Sequence, residues 1–549
     1  MERVVRRELT VRGTFRPVGA ATVDGLAGAG KEQSYSQYSP PPRWVGAPGE
    51  PGAGWNPARR RSRERGDVKK GIALVHPLGT NWSPGREDVV RLANVMPPHG
   101  LMMLAAVLER HGFDCEIVDA FAHPKPLAEL VTDILQLGPA AVGVSTTTSS
   151  FPGGYAVAEA VKTARPEVTV VFGGVHPTSI WRRILEEFPA VDAVVVGEGE
   201  ETLLDLARND WRPAAGIPGL AFRTPDGGIE FGGPRPHLRD LDSLPHPAYG
   251  KLRGYPKAYP LPIFNYPRSP ATTFISSRGC PYSCSYCDRS VFGSSFRPHS
   301  PAYMVDHLAM LKSRYGIRHV NIYDDNFLMR RERLVEFAEL LLRRGLRTTF
   351  NCIGRADGLD ADLLRLMKRA GCWMINVGVE SGDQATIAPH RTNSDLDVIR
   401  EVVARIRTAG IRCKGLFMMG IPGETEESAR KTIRFAVDNP FNDANLTKFT
   451  PFPGAPIYRT IREHGTFVED WEKMNCMNFV FVPNGFALER LEEIYAEFYR
   501  RFFGRHAMLP NYASLLWESP ESWMRLLANL PTFLAARKSL ENPRVEAAP

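Results

Sequence analysis

The sequence has no apolar stretch approaching the roughly 18 residues that a membrane-crossing helix needs, and its N-terminus lacks the charged, apolar, small-residue order of a secretory signal. A reducing, cytoplasmic setting is therefore expected, with no membrane span. Cysteine is sparse as well. Of eight in 549 residues, three crowd into one short segment and five (Cys115, Cys352, Cys372, Cys413, Cys476) are scattered as ordinary core or strand residues, which excludes a disulfide framework. Surplus charge is missing from most of the chain. The net charge of +7 resides in residues 1–70, with fourteen Lys and Arg against seven Asp and Glu, and the remainder carries 54 of each sign. No nucleic-acid partner is expected. The leader, 1–68, is rich in Gly, Pro and Arg (Ala47-Pro-Gly-Glu-Pro-Gly-Ala-Gly) and lacks apolar periodicity, which predicts disorder. It reads as a dispensable extension; a basic tail touching phosphate surfaces is the alternative.

What the chain does have is Arg278-Gly279-Cys280-Pro281-Tyr282-Ser283-Cys284-Ser285-Tyr286-Cys287, a C-x3-C-x2-C spacing directly after the apolar run Ala271 to Ser276. Three thiolates on one loop can hold three irons of a four-iron, four-sulfur cluster and leave the fourth open to a ligand, whereas an electron-transfer cluster normally takes four protein ligands. A structural zinc is the competing reading, but it wants four ligands, usually in paired C-x2-C units, and no second pair is present.

From Gly71 short apolar runs alternate with helical patterns: Gly71 to Val75, Cys115 to Val118, Ala140 to Val144, Val168 to Phe172 and Ala193 to Val196, with helices such as Leu101 to Gly112 and Tyr155 to Ala164 between them. This order predicts a five-stranded parallel α/β sheet over 69–205. Ligands of such sheets sit beyond the strand carboxyl ends. There the chain places Ser145-Thr146-Thr147-Thr148, Gly173-Gly174 and Gly197-Glu198-Gly199-Glu200, hydroxyls and glycines that permit close backbone approach; taken alone they are equally ordinary turn chemistry.

Residues 206–268 read as a connector with a hairpin around Asp226-Gly227-Gly228. Residues 269–460 then repeat β-α units, with strands expected at Ala271 to Ser276, His319 to Tyr323, Thr348 to Ile353, Trp373 to Val379, Cys413 to Met419 and Leu446 to Thr450. That is a partial (β/α)6 barrel, whose chemistry belongs at the strand C-terminal ends. Those ends carry Asp324-Asp325-Asn326, Gly354-Arg355, Gly378-Val379-Glu380-Ser381-Gly382 and Gly420-Ile421-Pro422-Gly423-Glu424. Asp324 and Asp325 read either as ligand contacts or as a solvated strand end, and Arg355 as a carboxylate clamp or an exposed ion pair. A helical C-terminal region, 461–549, follows.

Cysteine spacing, strand-end elements and domain order together resemble the cobalamin-dependent radical S-adenosylmethionine (SAM) family over roughly residues 70–505. The resemblance implies a cobalamin-binding domain ahead of the radical SAM barrel, with three cofactors: a 4Fe-4S cluster, SAM and cobalamin (methylcobalamin). By the family's pattern Cys280, Cys284 and Cys287 hold the cluster; Tyr286 and Gly420 face the adenine; Asp324, Asp325, Arg355, Glu380 and Ser381 lie near the methionine and ribose of SAM; and Ser145, Thr146, Gly173, Gly174, Gly197 and Glu198 cradle cobalamin. The Asp-x-His-x-x-Gly motif that supplies an axial histidine elsewhere is missing, the nearest sequence being Asp119-Ala-Phe-Ala-His123. The resemblance therefore points to cobalt without a protein histidine, with His76 and His176 as hydrogen-bonding or turn residues. An external electron donor such as flavodoxin or ferredoxin and a small-molecule substrate are implied. The segment Asn475 to Pro483 is similar to the anaerobic magnesium-protoporphyrin cyclase branch, whereas the same domain order serves C-methyltransferases of natural-product and antibiotic biosynthesis. A non-catalytic cofactor-binding regulator is the third reading; the intact cysteines argue against it.

Overall fold

The computed structural model describes residues 71–79, 94–355 and 357–531. The expected leader 1–68 and the end of the expected helical region, 532–549, lie outside the described residues. Among the described residues no helix is long and apolar enough to cross a membrane.

The first domain is built on β1 (Ile72–His76), β2 (Cys115–Asp119), β3 (Ala141–Ser145), β4 (Thr169–Gly173) and β5 (Ala193–Val195), paired in parallel in the order β2-β1-β3-β4-β5. Their runs are continuously apolar because helices cover both faces. Leu74, Val171 and Val195 face the helices His99–Arg110 and Glu200–Arg208, while Val75, Val142 and Phe172 face Phe151–Ala164 and Val175–Glu187. The expected sheet is corrected in one respect. The hairpin assigned to a connector supplies β6 (Leu220–Arg223) and β7 (Ile229–Phe231), which extend the sheet antiparallel to seven strands. The physical reason is the three-residue β5, which would otherwise be a bare edge; Leu220 and Ala221 cover it and are fully buried.

The second sheet joins β8 (Ala271–Phe274) to strands separated from it by the short antiparallel pair β9 (Ser277–Arg278) and β10 (Arg297–Pro298). β11 (His319–Ile322), β12 (Thr349–Gly354), β13 (Cys372–Glu380), β14 (Arg412–Met419) and β15 (Asp443–Lys448) follow β8 in chain order, all parallel, as an open half-barrel. Alternation sorts the side chains: Val320, Ile322, Phe350, Cys352, Ile375, Val377 and Phe417 pack on the helices. Asn321, Asn351 and their in-register neighbours occupy the other face, where Asn351 Nδ2 donates to Asn321 Oδ1 at 2.9 Å. The last strand starts three residues before the expected Leu446, because Asn442 already exchanges bonds with Cys413, whose N–H donates to Asn442 Oδ1 at 2.8 Å. The C-terminal region is not purely helical: β16 (Gly465–Phe467) pairs with β17 (Phe481–Pro483) before the helix Leu488–Phe503 lays Leu491, Ile494, Phe498 and Phe502 on the barrel core.

Two joints bind the domains. Trp471 inserts between Phe151, His176 and Phe188, with the Arg183 guanidinium 4.8 Å from its ring centroid. Nearer the cysteine loop, Arg278 donates to Glu198 Oε1 at 2.8 Å and pairs with Glu200, while Arg297 donates to Glu198 at 2.9 Å and to the Leu238 carbonyl at 2.7 Å. All four side chains are 10% exposed or less, so the two positive and two negative charges neutralise one another out of reach of water. Removing one partner from such a set strands a buried charge, at a cost of about 3–5 kcal/mol. Glu198→Ala is expected to lose that much in chemical denaturation of the apoprotein, and adding Arg297→Met to recover part of it. A loss below about 1 kcal/mol, the range of exposed pairs, would show that water screens the joint.

Candidate cofactor and active site

Beyond the carboxyl ends of β3, β4 and β5 lies a cavity of about 370 Å³ whose opposite wall is the cysteine loop. The sheet contributes Ser145, Gly173, Gly174, Gly197 and Glu198; the loop contributes Cys280, Cys287, Asp288 and Arg289; Asp325 reaches in from the end of β11. Leu74, Leu101, Leu104 and Leu203 make the sides apolar. Gly174 has φ +102°, and a Cβ there would stand 2.6 Å from the Thr146 carbonyl oxygen, whereas Gly197, at φ +90°, has open space where its Cβ would be. Gly174 is thus required by its φ and by the neighbouring backbone, while Gly197 presents bare backbone to the open space of the cavity. Ser145, at the end of β3, presents a hydroxyl to the same wall. These residues fit cobalamin. Glu198 lines the cavity, but its oxygens are already engaged by Arg278, Arg297 and the Leu238 N–H.

None of the three histidines weighed for cobalt is free on the sheet edge. His76 Nδ1 bonds Asp119 Oδ1 at 2.9 Å, and His123 Nε2 bonds the Arg253 carbonyl at 2.9 Å. His176 departs from the expected hydrogen-bonding or turn role. It lies in the helix Val175–Glu187, 1% exposed, between the rings of Phe151 and Trp471, and neither nitrogen has a partner among the described residues. Burial in that aromatic wall lowers its pKa to about 3.

On the cysteine loop, burial raises the thiol of half-buried Cys280, with Asp325 adding repulsion. Deprotonation must therefore be driven by the metal it accompanies. Among the described residues no three His, Cys, Asp or Glu side chains converge as a single-ion site would require; thiols that each hold a different iron of a cluster need not do so. The loop residues fit the cluster.

The strand ends divide into two groups. Asp325, whose carboxylate accepts the Gly279 N–H at 2.9 Å, stands with Arg355, Tyr286 and Glu380 around the loop. Arg355 stacks 4.2 Å above the Tyr282 ring, bonds Asp357 and the Asn393 carbonyl, and keeps one buried guanidinium nitrogen without a partner among the described residues. Glu380 is held at φ +67° by a bulge between β13 and β14; burial raises its pKa, and Arg391 and Arg355 oppose that. The other group turns inward. Asp324 accepts the Ser276 N–H at 2.6 Å and the hydroxyls of Ser276 and Ser277 at 2.6 and 2.7 Å, tying β8 to β11. The Ser381 hydroxyl bonds Thr432 at 3.2 Å and accepts the Asp383 N–H. Gly420, at φ +85°, donates its N–H to Glu424.

Several contributors escaped sequence reasoning: Arg297 in the ion-pair joint, Thr178, whose hydroxyl accepts the Gly197 N–H at 3.2 Å, and His99, whose Nε2 lies 2.7 Å from Thr273 Oγ1 beside Gly100 of the cavity wall. Their partners are distant in sequence. Only the opposed charges of Glu198-Gly-Glu200 and Arg278 offered a signal.

Glu424 carries a pH prediction. Burial raises its carboxyl to about 8 against an ordinary 4.5, partly offset by the N–H groups of Gly420 and Ile421. Between those values the folded protein keeps a proton that the unfolded chain has lost, so stability falls as pH rises through about 4.5 to 8, by on the order of 5 kcal/mol in all. Glu424→Gln keeps an oxygen for Gly420 and removes the proton. Urea denaturation of the apoproteins at pH 5 and pH 8 is expected to show a much smaller loss in the variant; equal losses would place the titration elsewhere.

Comparison with known proteins agrees with this geometry. Residues 86–207 match the B12 binding domain and residues 274–436 the Radical SAM superfamily. An uncharacterized methyltransferase of Pyrococcus horikoshii is 28% identical over 75% of this chain and 89% of its own. The anaerobic magnesium-protoporphyrin IX monomethyl ester cyclase of Cereibacter sphaeroides is 28% identical over 80% of this chain and 71% of its own. Among solved structures, the radical SAM methyltransferase TsrM of Kitasatospora setae with cobalamin and a [4Fe-4S] cluster bound shares the fold at TM-score 0.58 and 20% identity, over 79% of this chain and 82% of that one. The apo cobalamin-dependent SAM radical enzyme OxsB does so at 0.60 and 16%, over 78% and 66%. With a B12-binding sheet and a radical SAM half-barrel walling one cavity, the chain belongs to the cobalamin-dependent radical SAM enzymes, whose cofactors are a 4Fe-4S cluster, SAM and cobalamin.

Proposed function

We propose that the protein is a C-methyltransferase acting on an unactivated carbon of a small molecule in natural-product biosynthesis, antibiotic assembly included. The observation that carries this reading is the shared cavity: Gly173, Gly174 and Gly197 on one wall and Cys280 and Cys287 on the other enclose a single space. When bound, the cluster and SAM supply a hydrogen-abstracting radical and the corrinoid a transferable methyl group.

The chain's own residues position and protect. Cys280, Cys284 and Cys287 hold the cluster, and Asp325 fixes the loop backbone through the Gly279 N–H. Arg355, already oriented by Asp357 and the Tyr282 ring, offers its remaining N–H to a carboxylate. Glu380 is placed to accept hydrogen bonds from hydroxyls or an ammonium. Tyr286 joins an apolar wall with Met418, Ile421 and Phe449, suited to a flat aromatic base. Leu74, Leu101 and Leu104 keep water from the sheet side. An external electron donor, flavodoxin or ferredoxin, completes the cycle in the cytoplasm, with no nucleic acid involved.

A second reading, ring closure or oxidation as in the cyclases, is favoured by the cyclase-like relatives and by the 475–483 segment, whose Val480 and Phe481 pack in the same cluster as Ile421 and Tyr286.

The test uses SAM with a deuterated methyl group and candidate metabolites from neighbouring genes, under anaerobic reduction. Methyl transfer requires label in the product and S-adenosylhomocysteine beside 5'-deoxyadenosine. An unlabelled, cyclised or oxidised product sinks it in favour of the second reading. Replacing Cys280, Cys284 or Cys287 by Ala is expected to abolish 5'-deoxyadenosine in either case, whereas Cys115→Ala, a buried core change, should cost only stability, about 1–2 kcal/mol.

A further inference from the structure

The residue after the last loop cysteine joins three parts of the molecule. Asp288 Oδ1 accepts the Ser290 N–H at 2.8 Å, and Oδ2 lies 3.1 Å from the Ser179 hydroxyl, which also reaches the Val175 carbonyl of its own helix at 2.8 Å. Ser179 belongs to the helix that starts just past Gly173-Gly174, and its oxygen also lies 3.0 Å from Ser290 Oγ. The third part is the loop after β15. A Cβ on Gly454 would stand 2.2–2.3 Å from all three carboxylate atoms of Asp288, so no side chain fits there while the carboxylate stays where it is. That loop is itself tied to the cysteine segment, since the Ile457 N–H donates to the Ser285 carbonyl at 2.9 Å. Asp288 lines the cavity that Gly173, Gly174 and Cys287 share.

From these contacts we infer that Asp288 is a positioning residue: its carboxylate clamps the cysteine loop to the helix Val175–Glu187, which follows the cavity glycines Gly173 and Gly174, and Gly454 is the vacancy that lets the clamp close. Gly454 has no positive φ to account for it, so the close approach is the reason a glycine stands there. The three cysteines remain whole when the clamp opens, so iron loading is independent of it, while the separation between the two cofactor walls is not. This holds whether the reaction is methyl transfer or ring closure, and its readouts need no substrate.

The experiment compares Asp288→Ala, Gly454→Ala and the double variant as reconstituted full-length protein. Hydroxocobalamin affinity is read by absorbance titration, and the magnetic coupling between reduced cluster and cob(II)alamin by power saturation of the cobalt EPR signal at full occupancy. Both single variants are expected to keep iron content, to weaken cobalamin binding by on the order of tenfold, as loss of a buried hydrogen bond does, and to diminish the coupling. Because Gly454 acts only through Asp288, the double variant should be no worse than Asp288→Ala alone. Effects that add in the double variant would overturn the clamp, as would unchanged affinity and coupling in Asp288→Ala. Asp288→Asn, which keeps shape and an acceptor for Ser290, should retain most of the affinity; if the alanine variant does not fold, loss in Asn equal to that in Gly454→Ala would overturn the assignment too.

Discussion

The structure depends on four buried charges. Glu198 and Glu200 close the last parallel strand of the N-terminal sheet, Arg278 opens the cysteine loop and Arg297 closes the short β-ribbon behind it, and the pairs among them leave no side chain more than 10% exposed. Desolvating four ions is costly, and each is tolerable only while its partners stay in place. That makes the joint intolerant of small displacements: a shift of the loop against the sheet would strand charge where water cannot reach it. Two domains that bind different cofactors are thereby held in one register by electrostatics rather than by area alone.

Around that joint the other contacts take on distinct tasks. Trp471 anchors the C-terminal region in the aromatic pocket of the first domain, against the same helix that carries Ser179. Asp324 uses its carboxylate to tie the end of β8, from which the loop departs, to the neighbouring strand. Arg333 reinforces the same corner by donating to the Ser276 carbonyl and hydroxyl. The loop is thus fixed at its root by Asp324 and Arg333, at its first residue by Arg278, and past its last cysteine by Asp288, which leaves the three thiols on a backbone restrained on every side.

The elements legible in the sequence were those with a local physical signature. Runs such as Ile72 to Val75 and Val170 to Phe172 announced doubly covered strands, the C-x3-C-x2-C spacing announced the loop, and Asp226-Gly227-Gly228 announced the hairpin. Where the hairpin went was not legible, because the need it answers, a short bare edge at β5, exists only once the sheet is assembled. The same holds within the site. Asp325 and Asp324 are neighbours at one strand end with the same chemistry, yet one faces the loop and cavity while the other is consumed by two serines; alternation sends successive side chains to different surroundings, and no property of the pair foretells which serines wait there. Gly454 reads as one more glycine in a Pro-rich turn until Asp288, far back in the chain, is seen to occupy the space of its missing side chain.

One consequence concerns why the cavity is so apolar on the sheet side and so charged on the loop side. A carboxylate or guanidinium without a partner in a low-dielectric wall is unstable, so charge accumulates where both signs meet, at the seam. Away from Glu198 and Glu200 at the seam, the sheet edge is left to glycines, a hydroxyl and leucines, which impose no charge of their own. His76 is held by Asp119, His123 by a carbonyl, and His176 lies among aromatic rings that keep it neutral, so the imidazoles of this domain are committed to its architecture. The sheet edge thus offers the cavity a packing surface, while charge reaches it from the loop and from the strand end that carries Asp325.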